Sequence, residues 1–398
     1  MTRITAWTLG LVSITAATSG CLAPQPEKEE SPAITGQARQ EVLLSKQSIS
    51  LSTGIQMAYL ELGDPCGEPV IFLHGYTDTA RSFQPTAAAL AGLSSDYHIF
   101  VLDQRGHGDS SMPPAASCAA APEECFEPAD MADDVVAFMD AKGISEAAIV
   151  GHSMGSFVAQ EVGLSYPERA SRLVLIGTAA SAVGNIVLQD FILAEPVEGS
   201  WKAGFEAQNL TFPDDVYNLT AIDANAGALD WMSVNWVVDP AADPAFLADI
   251  LPETAATKMG TWIGAARALL QTDNTARLQG LTVPSLVLWA TQDAVFYESD
   301  QDALLASLDV AAAQCKSGYY FKQYGKRPLS ELGIQTDDIG HNTQWAAPEE
   351  VALDIDSFLD KGKPTKDWYH SSSNDPQQIV TKKGKAPIVR GKQKHNCH

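Results

Sequence analysis

Ala147-Ala148-Ile149-Val150-Gly151-His152-Ser153-Met154-Gly155 is the stretch where an apolar run gives way to residues with helical spacing, Met154, Val158 and Val162. The run is short and apolar throughout, which predicts a buried strand, and the turn into the helix falls on Ser153. A serine on such a turn adopts strained backbone dihedrals and lifts its hydroxyl clear of the sheet. Gly151 and Gly155 remove side chains where the incoming strand and the outgoing helix come closest. Met154 follows with a free backbone N–H, a donor for negative charge on a substrate oxygen.

Outward from this turn, strand-like runs alternate with helical segments: 43–50, 54–62, then Val70–Leu73, Ile99–Leu102, Ala147–Val150, Leu173–Ile176 and Leu286–Trp289. The last five are apolar on both sides and separated by helices. That pattern predicts an α/β fold with a mostly parallel central sheet and helices on both faces. Between residues 181 and 275 the alternation stops, and Trp201, Phe205, Phe212, Tyr217, Trp231, Trp236, Phe246 and Trp262 accumulate without clear strands. This predicts a helical cap inserted into a core made of residues 43–180 and 276–360.

The two ends read differently. Residues 1–21 hold one charge, Arg3, then an apolar stretch from Ile4 to Ala17 and small residues leading to Cys21. The apolar run falls short of the about 20 residues that span a bilayer, so an export signal is expected, with Cys21 resembling the lipidated cysteine of bacterial lipoproteins. Localisation is then a membrane-anchored lipoprotein or a periplasmic or secreted protein. Residues 22–42, rich in Pro and Glu, are expected to form a disordered tether. Residues 361–398 hold nine Lys and Arg against two Asp. They are expected to form a basic disordered tail, contact with an anionic membrane being the sharper alternative.

Six cysteines occur in the chain. Cys118 and Cys125 flank a short loop, which in an exported protein favours a local disulfide. Cys66, Cys315 and Cys397 have no partner assigned by the sequence. No metal-ligand spacing is present, and no cofactor is expected. The net charge of −23 opposes binding to nucleic acid and other polyanions.

A serine hydroxyl is a poor nucleophile near neutral pH and needs a base, an orienter for that base and donors for the oxyanion. Of eight histidines, His370, His395 and His398 lie in the tail, His98 begins a strand, and His152 adjoins the serine with its side chain expected to point elsewhere. His341 stands apart. It follows Gly340 after an expected last strand, Leu332–Ile339, and precedes an amphipathic helix beginning near Ala346. The acid should lie between serine and histidine in chain order. Asp293, directly after the strand Leu286–Trp289, fits best; Asp337, Asp338 and Glu298 compete. His74-Gly75-Tyr76 follows the strand Val70–Leu73, so the Tyr76 N–H is expected to converge with that of Met154.

These residues resemble the α/β-hydrolase superfamily over about residues 43–360. The resemblance rests on His74-Gly75-Tyr76, Asp103-Gln104-Arg105-Gly106-His107-Gly108-Asp109-Ser110, Gly151-His152-Ser153-Met154-Gly155, Thr291-Gln292-Asp293 and Gly340-His341-Asn342. It implies a Ser153/Asp293/His341 triad acting through an acyl-enzyme, with Arg105 and Asp109 as a loop-bracing pair. The spacing from Asp293 to His341 exceeds that usual in the family, so residues 314–331, with Tyr319, Tyr320, Phe321 and Tyr324, are expected to be an insertion. Relatives that open haloalkanes or epoxides through an ester intermediate use Asp as nucleophile, and Ser153 argues against both.

The cap region carries thirteen Asp and Glu against three Lys and Arg, and four of the eight Trp. Its charge disfavours anionic substrates, and its aromatics offer an apolar pocket. The expectation is a small neutral apolar ester or lactone. A C–C bond hydrolase of the same fold is the alternative, and a hydrolase-fold protein that binds ligand without turnover is a third reading.

Overall fold

The computed structural model of the chain describes residues 43–326, 338–372, 374–383 and 389–392. The export signal, the Cys21 lipidation site and the tether 22–42 lie outside the described residues. Among the described residues no helix is long and apolar enough to cross a membrane.

Nine strands form one sheet: β1 (Gln47–Ser50), β2 (Gln56–Gly63), β3 (Glu68–Leu73), β4 (Tyr97–Leu102), β5 (Ala147–His152), β6 (Ala170–Ile176), β7 (Ser285–Ala290), β8 (Tyr319–Tyr324) and, at the far edge, β11 (Val389–Lys392). Their order is β1-β2-β4-β3-β5-β6-β7-β8-β11. Strands from β4 to β8 in that order run parallel, while β1, β2 and β11 pair antiparallel at the edges.

Apolar residues at successive strand positions point to opposite faces, and the two halves of the core follow that rule. Ile71, Leu73, Ile149, Leu173, Leu175 and Val287 pack on one face with helices Pro128–Lys142 and Met154–Ser165. Val70, Phe72, Val150, Val174, Ile176 and Leu286 pack on the other with helices Gln84–Leu93 and Pro348–Lys361. Each such side chain, fully removed from water, contributes about 1.5–3 kcal/mol. The helices are bounded as their sequences dictate: Pro128 and Pro348 sit in first turns, and Gly143 and Gly362 end their helices in left-handed backbone.

The insertion between β6 and β7 is helical. It comprises Val187–Trp201, which breaks at Glu195, then Ala228–Asn235, Pro244–Ala255 and Met259–Leu269. Trp201, Phe205, Tyr217 and Trp262 are fully buried within it. Glu253 on the third of these helices ties the insertion to the core, 2.9 Å from Lys46 Nζ and 3.2 Å from Arg81 Nε. The Cys118–Cys125 disulfide is present, and Cys66 and Cys315 are also disulfide-bonded.

Three expectations need correction. First, the supposed insertion 314–331 contains β8, the last parallel strand, whereas most of Leu332–Ile339 lies outside the described residues. Lys322 of β8 is fully buried and donates to Asp354 Oδ1 at 2.7 Å, while Asp354 Oδ2 accepts from Tyr324. Second, the tail is not simply disordered. It holds β9 (Trp368–Ser371) and β10 (Ile379–Lys382), which pair antiparallel, and β11, which extends the main sheet along β8. Tyr369 explains the docking, because it is buried with Lys322 Nζ 4.4 Å over its ring. Third, Arg105 does not pair with Asp109. Its guanidinium donates to both oxygens of Asp134 at 2.6 and 2.9 Å, a fork-shaped fit that an exposed Asp109 would not reward.

Candidate active site

The sheet order places β3 between β4 and β5, so the chain leaves β3 on one side and returns on the other. Loops at the carboxyl ends of β3 and β5 therefore diverge and leave a crevice, the usual ligand site of an open α/β sheet. His74-Gly75-Tyr76 and Ser153 occupy those two loops.

Ser153 has φ 51° and ψ −119°, the strained turn expected of it. A Cβ on Gly151 would run into the Gly155 carbonyl, and one on Gly155 would run into the backbone of Leu73 and His74. The two glycines thus let strand, turn and helix come together. Met154 opens the following helix, where its N–H has no carbonyl a turn earlier to serve. The Tyr76 N–H likewise has no acceptor among the described residues. Tyr76 itself is held by its hydroxyl, which donates to the Trp262 carbonyl at 2.5 Å, and by edge-on contacts with Trp236 and Trp262. His74 braces the same loop: its Nδ1–H donates to the Gly75 carbonyl at 2.8 Å and its Nε2 accepts the Gln104 N–H at 3.0 Å.

Asp293 is fully buried after β7, and its Oδ1 accepts the N–H groups of Val295 and Phe296 at 2.8 and 2.9 Å. Both of its oxygens lie 3.0 Å from His341 Nδ1. A bridge between Gln292 and Gly340 pins the acid loop to the histidine loop. A carboxylate only accepts hydrogen bonds, so Nδ1 carries the proton and Nε2 presents a lone pair. His341 and Ser153 line one cavity of about 500 Å³. Among the described residues the Ser153 hydroxyl has no hydrogen bond to His341; in substrate-free sites such bonds are often long and tighten when substrate arrives.

Of the competing acids, Asp338 caps the backbone of Lys326 and Ile339, Glu298 opens a helix, and Asp337 lies outside the described residues. His152, expected to point elsewhere, also lines the cavity. Its ring centroid is 4.9 Å from that of His341, and its Nε2–H donates to the His341 carbonyl at 3.2 Å. Burial and the neighbouring His341 hold its pKa well below the usual imidazole range. Gly177, after β6, makes room for the imidazole: a Cβ there would sit 3.1 Å from His341 Cε1 and Nδ1. A glycine directly after an apolar strand was the available signal.

A model of the alpha/beta hydrolase fold matches residues 68–346. The chain belongs to that family. Among its curated relatives, epoxide hydrolase A of Mycobacterium tuberculosis is 30% identical over 129 residues, 32% of this chain and 37% of the relative. Lipase 3 of a Moraxella species is 31% identical over 137 residues, 34% of this chain and 40% of the relative. The chain thus spans less than half the length of these relatives. Among solved structures, an esterase from Exiguobacterium antarcticum superposes with a TM-score of 0.56 at 16% identity, over 79% of this chain and 100% of that one. A hydrolase from Pseudomonas aeruginosa gives 0.55 at 21% identity, over 81% and 99%. At such identities the likeness shows the fold. Within this α/β-hydrolase, Ser153 and His341 line one cavity and Asp293 lies against the far side of the imidazole.

Proposed function

We propose that the protein is a serine hydrolase that cleaves carboxylic esters or lactones through an acyl-enzyme. The observation that carries this reading is the arrangement of Ser153 and His341 in one cavity, with Asp293 holding the far nitrogen of the imidazole. His341 Nε2 takes the hydroxyl proton as Ser153 attacks the ester carbonyl, and the N–H groups of Tyr76 and Met154 receive the oxyanion. His341 then returns the proton to the leaving alcohol. Water, deprotonated by the same nitrogen, releases the acid.

Epoxide hydrolases among the relatives do not transfer their chemistry here. A carboxylate that opens an epoxide forms an ester, whose carbonyl water can attack; a serine would form an ether, which offers water no such carbon. The lipase and esterase neighbours support acyl transfer, and the acidic cap supports a substrate without negative charge, the reacting ester being neutral. Turnover of p-nitrophenyl butyrate and γ-butyrolactone tests the reading. A vinylogous diketone cleaved in preference to every ester would replace it with C–C bond hydrolysis, and fluorophosphonate-inert protein would leave only binding.

We also propose export through residues 1–21 with lipid attachment at Cys21. Palmitate labelling that persists after Cys21→Ala overturns it.

A further inference from the structure

Among the described residues, the cavity beside Ser153 is lined by two aspartates and by no Lys or Arg. Asp78 is 5% exposed and Asp239 is 8% exposed. Asp78 uses Oδ1 to accept the Thr79 N–H at 2.8 Å, while Oδ2 has no hydrogen-bond partner. The buried Ser82 hydroxyl beside it eases the charge but closes no bond to that oxygen. Asp239 comes from the cap, after helix Ala228–Asn235, and its Oδ1 accepts the Ala241 N–H at 2.9 Å. Burial disfavours its ionised form, and among the described residues of the cavity a positive His341 is the charge that would favour it. Two carboxylates removed from water without a cation are costly, because ionised groups at such depth need a countercharge.

Aromatic surface adjoins them. Trp236, Trp345, Tyr76 and Phe191 line the same space. The Trp236 indole N–H is already engaged by Thr77 at 2.8 Å. Faces of indole and phenol rings attract cations, most strongly where water is excluded. Trp345 also keeps an unpartnered indole N–H, which a hydroxyl, able to donate and accept, would use. The charge of the lining decides between the two chemistries, since a hydroxyl leaves both carboxylates uncompensated and a protonated amine neutralises one of them.

We propose that this cavity, lined by Asp78, Asp239 and the aromatics named above, takes a protonated amine or quaternary ammonium group carried on one arm of the ester substrate. The inference rests on the ester-cleaving reading above and narrows its substrate: the reacting ester is neutral and a distant arm is positive. Asp78 and Asp239 supply negative charge to the lining, and the aromatic walls replace the water shed by the cation. Ester cleavage itself proceeds unchanged at Ser153.

Three p-nitrophenyl esters of equal length, ending in trimethylammonium, hydroxyl or tert-butyl, test this on the wild-type full chain. The ammonium ester should have a kcat/KM at least tenfold above both others at matched ionic strength. Asp239→Asn and Asp78→Asn should each shrink that ratio at least fivefold, whatever they do to the absolute rate. A separate binding measurement, quenching of tryptophan fluorescence by pentyltrimethylammonium, should saturate, and pentanol at the same concentration should quench far less. Equal or higher kcat/KM for the tert-butyl or hydroxyl ester overturns the proposal, as does a ratio untouched by both substitutions. If no ester is turned over but the ammonium ion binds saturably, the ester-cleaving reading fails and the cation site stands.

Discussion

Asp293 and His341, separated by 48 positions in sequence, meet with both carboxylate oxygens 3.0 Å from one imidazole nitrogen. The contact is rigid from both sides. Asp293 is fixed by two backbone N–H groups, and the Gln292–Gly340 bridge joins the loops one residue away from each partner. In the proposed reaction, a carboxylate so held would orient the imidazole before any substrate arrives and lower the cost of reaching the transition state.

Removing Ser153 or His341 should therefore be equally ruinous. Ser153→Ala and His341→Ala are each expected to lower kcat by about 10⁴ to 10⁶, with the double variant little worse than either. Asp293→Asn should cost about 10⁴ by disturbing the tautomer. Steady-state kinetics on an aryl ester measures all four, and losses that multiply would mean the residues do not act as one unit.

Much of this site was legible in the sequence, and the reasons are local. Gly151 through Gly155 sit on a turn whose geometry depends on residues beside one another. Gly340-His341 and Asp293 follow apolar strands or small loops that mark sheet edges. What escaped notice depends on partners far away in the chain. The acid–histidine spacing makes the stretch holding Lys322 read as an insertion, while Asp354, which pairs with Lys322, lies on the helix Pro348–Lys361. Arg105 was matched to a near neighbour, while its partner Asp134 lies on a helix packed under the loop. No local pattern marks Asp78 or Asp239, and only the fold buries them in the lining of one cavity.

Burial pushes the Asp78 carboxyl up to about 7, from 3.8 in an exposed side chain. The folded protein therefore binds this proton more tightly than the unfolded chain, so the contribution to stability falls as pH rises from about 4 to about 7 and stays low above that range. Asp78→Asn removes the dependence. Its stability relative to wild type should rise between pH 4.5 and pH 8 by about 3 kcal/mol, read from urea unfolding at the two pH values. A difference that does not change with pH would refute the assignment.

Lys46 bridges core and cap, 2.8 Å from the fully buried Asp103 and 2.9 Å from Glu253. Lys46→Met leaves Asp103 without its cation, and breaking a buried pair on one side costs about 3 to 5 kcal/mol. Glu253→Gln should cost less, because Glu253 is partly exposed. In a double-mutant cycle by urea unfolding, the two substitutions should lose less together than the sum of their separate losses; strict additivity would show that Lys46 and Glu253 are uncoupled.

The disulfide between Cys118 and Cys125 closes a short loop that packs against the cap helix Met259–Leu269, where a Cβ on Gly264 would meet Phe126 and Pro122. For a sequence separation of 7, chain entropy puts the stabilisation at about 2.5 kcal/mol. The paired Cys118→Ser, Cys125→Ser variant should lose that amount in urea unfolding, and an unchanged midpoint would show that the crosslink constrains nothing.

Covalent labelling with a fluorophosphonate, followed by peptide mass spectrometry, addresses the central assignment most directly. Stoichiometric modification confined to Ser153 in the wild type, and lost in His341→Ala, is the expected result. Intact wild-type protein that stays unmodified, or that carries the label on another residue, would contradict an activated serine at this position.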